Sequence, residues 1–279
     1  MSRAARRLAA LIGGVVLVTG CPGAGGGAGD AAGVSTGEDA GAGYVLSSAR
    51  YVTDWAWGAA VPGDDGLGFV VTNDLGYEVR VTRGWLVSYS ASLAECTRSA
   101  AGGTTTAGAA GLLGELFGGG VARAGHGGDI DPSITEAPMT ESLATPGETD
   151  LGTVDFVSAS YCYLHWVAAA ASEYTRDLPD DVDLLGEALH LEGTWRAPGS
   201  DEAVPFVWTS PIANGLLVDL DDVALAAPPE GAAHAEVRFV HELDAWFDGL
   251  DLATMTESAV GRALMVAIST VTVAEVVIE

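Results

Sequence analysis

Five histidines and three cysteines are the side chains of this sequence whose chemistry asks for an explanation beyond packing. His126 stands between glycines in Ala124-Gly125-His126-Gly127-Gly128, a backbone free enough to carry an imidazole to a site. His165 lies in Tyr161-Cys162-Tyr163-Leu164-His165-Trp166. With Cys162, Leu164 and Trp166 turned to a core, strand alternation points His165 the other way, together with Tyr161 and Tyr163. His190 and Glu192 alternate in the same manner with Leu189 and Leu191. If these two strands are neighbours, His165 and His190 share a face and His126 closes over them. Three imidazoles suit copper or zinc, and copper tops the stability order of the divalent metals. The alternative is that each histidine is a separate surface or core residue. His234 and His241 read as structural, His241 sharing a strand face with Val237 and Phe239.

Cys96 and Cys162 make an even pair once Cys21 is set aside. In an exported chain such a pair reads as a disulfide, worth about 4 kcal/mol through the long loop it closes. No CxxC spacing supports a thiol oxidoreductase. Catalytic motifs are equally missing: no HExxH, no Walker loop and no GxGxxG after a strand. Asp180-Asp181 and Asp221-Asp222 sit beside turn residues and read as solvated faces. Asp129-Ile130-Asp131 lacks the spacing of an EF-hand. The expectation is a protein that is not an enzyme.

The charge balance narrows the partners. There are 38 acidic residues against 12 basic ones, all of them arginine, for a net charge of −26. Nucleic acid and anionic membrane surfaces would be repelled. The amino terminus nevertheless points to a membrane. Arg3, Arg6 and Arg7 precede a short apolar run, Leu8 to Val18, too short for a stable span. The run ends in Val18-Thr19-Gly20-Cys21, which resembles the lipobox of bacterial lipoproteins. That resemblance implies a signal peptide over 1–20, a diacylglycerol on the Cys21 thiol, and a lipid anchor to the cell envelope. Pro22, rather than an aspartate, fits passage to the outer membrane. Residues 21–43 are mostly Gly, Ala, Ser, Thr and acids, with almost no large apolar residue, a composition that suits a flexible tether.

The elements that must hold the candidate side chains are strands. Short runs bounded by Gly, Pro and Asp begin at Tyr44-Val45-Leu46 and recur over 68–73, 78–96, 154–157, 161–170, 188–195, 204–209, 216–220, 235–241 and 270–278. In the longest, Val79, Val81, Trp85, Val87, Tyr89 and Leu93 give a largely period-two register. Two helices are expected, over 107–117 and 256–267, with one helical turn over 243–250 carrying Trp246 and Phe247 into the core. The pattern predicts an all-β protein: one antiparallel β-sandwich domain, immunoglobulin-like, over 44–279, with a loose insertion at about 98–130.

Part of this pattern is similar to the MbnP-like family, exported copper-associated β-proteins linked to methanobactin systems, and to lipoproteins of high-GC Gram-negative bacteria. The segments that carry the likeness are Val81 to Leu93, Leu189-His190-Leu191-Glu192-Gly193-Thr194-Trp195, Pro205-Phe206-Val207-Trp208-Thr209, Val237-Arg238-Phe239 and Trp246 to Leu252. The resemblance implies a copper site of histidines with an oxidised tryptophan, for which Trp55, Trp57 and Trp85 are the candidates. The sequence thus leads to an envelope lipoprotein acting as a non-catalytic binding module, with copper on His126, His165 and His190. The alternative is a structural or interaction lipoprotein of the outer membrane that holds no metal and meets an envelope protein partner.

Overall fold

The computed structural model describes residues 44–64, 66–95, 134–135, 137–220 and 233–278. All belong to the second of two units into which the chain divides, Met1–Ala40 and Gly41–Glu279. The signal segment, the tether, the 98–130 insertion and the helix expected over 107–117 lie outside the described residues.

The fold is an all-β sandwich. Among the described residues eleven strands run in chain order: β1 (Tyr44–Ala56), β2 (Val61–Pro62), β3 (Phe69–Thr72), β4 (Glu78–Glu95), β5 (Met139–Ser142), β6 (Thr149–Ala168), β7 (Leu189–Arg196), β8 (Val204–Ser210), β9 (Asn214–Asp219), β10 (Ala233–Glu242) and β11 (Thr272–Ile278). Two helices, α1 (Leu243–Trp246) and α2 (Glu257–Ile268), lie between the last two strands. The hydrogen-bonded path is β11-β10-β1-β6-β4-β3-β2. Two long strands build both layers by changing partners midway. The first half of β6 pairs β1, and its second half pairs β4 and β9. The first half of β4 pairs β3 and β7, its middle β5, and its second half β6.

Three expectations are corrected. Residues 154–157 and 161–170, read as two strands, fall on one strand, β6, which ends at Ala168, and β5 carries no strand signal in the sequence. Among the described strands the ladders are antiparallel except that of β1 and β10, which pair in parallel with Arg50 opposite Glu236. The single register of β4 also fails. Its ladder slips between Val81 and Arg83 and again between Ser88 and Ser90, and each extra residue turns the following side chains to the opposite face. Val79 and Val81 therefore enter the main core with Leu86, whereas Trp85 and Val87 pack on the other face against Leu178, Val182 and Leu184.

The core is aromatic and continuous. Tyr51, Phe69, Tyr161, Trp166, Phe239, Trp246 and Phe247 are all fully buried. The helical turn expected over 243–250 is α1, and Trp246 joins it to α2 by donating its indole N–H to the Leu264 carbonyl at 2.9 Å. Thr256 caps α2, its hydroxyl accepting from the Ala259 amide. Val260, Leu264, Met265 and Ile268 form the buried stripe of α2. Gly261 lets that stripe lie on β8: a Cβ there would stand 2.1 Å from the Thr209 carbonyl oxygen. Among the described residues no helix is long and apolar enough to cross a membrane.

Candidate functional site

Alternation places His165 and His190 as expected, outside the core. Leu164 and Trp166 flank the first and are buried, as are Leu189 and Leu191 beside the second. The two histidines are not neighbours, however. His165 lies opposite Ser92 and His190 opposite Trp85, seven residues apart along β4. At about 3.3 Å per residue the separation is roughly 20 Å. β6 and β7 follow one another along β4 instead of pairing side by side. One ion cannot take both imidazoles, so the set His126, His165 and His190 does not fit a single copper site. Among the described residues no three His, Cys, Asp or Glu side chains are grouped to hold a metal ion. His126 lies outside the described residues.

Each placed histidine has its own surroundings. His165 is half-buried, and burial pushes its pKa below the usual imidazole range. His190 Nε2 is 2.9 Å from Glu192 Oε1. Glu192 also pairs with Arg83, which bonds Asp181 at 2.7 Å and lies over the Trp85 ring at 5.1 Å. The Trp85 ring meets His190 edge-on at 5.7 Å. His234 is exposed and bonded to Ser48. Tyr161 does not share the outward face of His165. The ladder slips between Ala94 and Glu95, opposite Cys162, which turns Tyr161 into the core. Cys162 is disulfide-bonded; Cys21 and Cys96 lie outside the described residues.

Among the described residues the interior also holds a polar arrangement centred on a residue that the sequence does not mark. Glu141, on β5, is entirely buried. Trp55 Nε1 donates to Glu141 Oε2 at 2.9 Å. Trp166 Nε1 donates to Ser88 Oγ at 2.8 Å, so the single hydroxyl proton of Ser88 goes to Glu141 Oε1, 2.5 Å away. Thr53 Oγ1 reaches the same carboxyl without an aligned hydrogen bond. Burial outweighs these donors and raises the Glu141 pKa, holding the carboxyl toward its neutral form.

His241 lies against both indoles, with ring centroids 4.7 Å from Trp55 and 4.8 Å from Trp166. Thr272 gives its hydroxyl proton to the Ile268 carbonyl at 2.5 Å, so His241 must donate from Nδ1 to Thr272 Oγ1 at 2.7 Å. Nε2 then carries a buried lone pair with no hydrogen-bond partner. Burial lowers the His241 pKa to about 3. His241 does share its strand face with the buried Val237 and Phe239. Glu141 gave no sequence signal, because Met139-Thr140-Glu141-Ser142 is a polar run that reads as loop.

Of the tryptophans considered for a modified ligand, Trp55 is a buried donor to Glu141, Trp57 packs half-buried on the main core, and Trp85 lies beside His190. On the outer surface Arg50 and Arg238 are threaded through Asp54, Glu148, Asp150 and Glu236. No protein-family model, curated protein or solved structure matches this chain.

Proposed function

We propose that this chain is a lipid-anchored protein of the bacterial cell envelope whose β-sandwich serves as a non-catalytic binding module. The observation that carries the reading is the order of its segments. A basic start, a short apolar run and Thr19-Gly20-Cys21 lead through a Gly/Ala-rich stretch to Tyr44, where β1 begins. Acyl chains stabilise a membrane-bound state by about 0.8 kcal/mol per buried CH₂, enough with two or three chains to hold the protein at a bilayer. Outer-membrane placement rests on Pro22. Replacing Cys21→Ser tests the anchor. The variant is expected to lose palmitate labelling and to run uncleaved or leave the membrane fraction. A variant that still labels and fractionates at wild-type size overturns the reading.

A copper-binding form of the module, as the MbnP-like resemblance implies, is favoured by one contact. Glu192 accepting from His190 Nε2 would leave Nδ1 as the ligand atom, and carboxylates commonly orient metal-binding histidines this way. His126 would supply a second imidazole, and His165 takes no part. Titration of tag-free protein with Cu(I) and Cu(II) checks this. The expected result is a site lost in His190→Ala and kept in His165→Ala; no binding tighter than about 1 mM removes the metal reading and leaves the module to a protein partner.

A further inference from the structure

The outer strands of the sandwich are finished in different ways. β2 is two residues long and ends on Pro62. Residues 138 and 176 cover the outer side of β5: Thr140 N donates to the Arg176 carbonyl at 3.0 Å, and Arg176 N to the Pro138 carbonyl at 2.8 Å. β8 carries Pro205. β9 is half-buried throughout, and its Asn214 amide bonds the last turn of α2. Each is a recognised way of stopping a further strand from adding.

β11 has none of these protections. It is seven residues long, Thr-Val-Ala-Glu-Val-Val-Ile, without proline, lysine or arginine. It pairs β10 on one side and no other strand among the described residues. Alternation puts Val273, Glu275 and Val277 on one face, and the two valines are 53% and 57% exposed. Arg238 lies opposite Glu275 in the ladder, but its guanidinium is turned to Glu148, Glu236 and Asp54. Glu275 has no ion-pair partner among the described residues, so one unanswered negative charge stands between two exposed valines.

We propose that β11 is a strand-addition site for an extended segment of a partner protein, one that presents a basic side chain to Glu275 flanked two residues either way by apolar ones. The backbone of such a segment would continue the sheet beyond β11, while its alternate side chains would meet Val273, Glu275 and Val277. A basic residue fits because the chain is strongly acidic and Glu275 is the charge left open at this edge. A second copy of the chain fits poorly, since antiparallel β11 strands centred on Glu275 would oppose like charges. The inference depends neither on the lipid anchor nor on copper.

The test uses the chain from residue 22 onward and the peptide acetyl-Ser-Val-Thr-Arg-Thr-Val-Ser-amide. Amide NMR shifts are expected to concentrate on residues 272–278 at peptide concentrations up to about 1 mM. Glu275→Arg should weaken binding about tenfold, and the peptide with glutamate in place of arginine should restore it on that variant. Peptides N-methylated at alternate residues, made in both phases, should include one that no longer binds, because one phase blocks the ladder. No response at β11, equal binding of the arginine and glutamate peptides, or full binding by both methylated forms overturns the proposal. So does sedimentation showing a dimer that Val273→Lys dissolves, which would give the edge to a second copy.

Discussion

Burial disfavours the charged forms of both Glu141 and His241, yet they make stability depend on pH in opposite senses. His241 has a pKa of about 3 in the fold against an ordinary value of 6.5. Its folded pKa is depressed, so unfolding takes up a proton at any pH between the two. The contribution of neutral His241 is whole above 6.5 and is lost as pH falls. With those two values the loss is about 2 kcal/mol by pH 5 and about 3 kcal/mol by pH 4. Glu141 works the other way. Its pKa is raised from 4.5, so its contribution is whole below 4.5 and is lost as pH rises. Between 4.5 and 6.5 acidification therefore costs stability at His241 and restores it at Glu141, and the wild-type profile is flattened. Single substitutions expose each component. Glu141→Gln should leave the His241 loss unopposed, so that stability falls steeply from pH 7 to pH 5. His241→Leu should remove that loss and gain stability over the same interval, relative to wild type. Urea unfolding followed by tryptophan fluorescence at intervals from pH 4 to 8 reads both, because the surface carboxylates are common to all three proteins and cancel in the differences. A wild-type-minus-His241→Leu difference that changes by less than about 0.5 kcal/mol between pH 7 and pH 5 refutes the reasoning.

Three further outcomes follow from single contacts. Asn73 is buried, donates to the Phe247 and Leu250 carbonyls and accepts from the Leu75 and Tyr77 amides, so Asn73→Ala should cost about 3 kcal/mol in chemical unfolding. Gly68 has φ +65° and a Cβ there would lie 1.9 Å from the Val81 carbonyl oxygen, so Gly68→Ala should cost at least about 3 kcal/mol and lower Tm. Mass mapping of unreduced protein should join the Cys162 peptide to that of Cys96; a link from Cys162 to Cys21 instead would refute both that pairing and acylation of Cys21.

Strand existence was legible because its signal is local. Alternation in β7 and β10, the Thr256 cap and the Trp246-Phe247 anchor each depend on residues within a few positions, and the structure has them where the sequence places them. What was not legible is set by residues that break the count. The slips near Thr82 and Tyr89 reverse the faces of β4, and the slip at Cys162 reverses that of Tyr161; nothing in Val81-Thr82-Arg83 or Ser88-Tyr89-Ser90 marks an extra residue. The grouping of His165 with His190 fails for a related reason. The outward faces of His165 and His190 follow from alternation, but their separation depends on which half of β4 each strand pairs with, and pairing over such distances leaves no mark on local composition. Glu141 stayed hidden because a buried acid is betrayed only by the donors around it, and Ser88 and Trp55 come from other strands.

The parallel pairing of β1 with β10 joins the two ends of the folded chain. Synthesis delivers β1 first, and β6, which covers one of its edges, only about a hundred residues later. The other edge of β1 has no native neighbour until residues 233–242 exist. A parallel pair cannot close as a hairpin, so this contact must await nearly the whole chain and bear the entropy of a very long loop. Assembly of the sandwich is therefore expected to be slow and to finish at its carboxyl end, with β1 open to wrong partners in the meantime. A chain that stops short of β10 would be left with that edge permanently uncovered, whatever the quality of its remaining core.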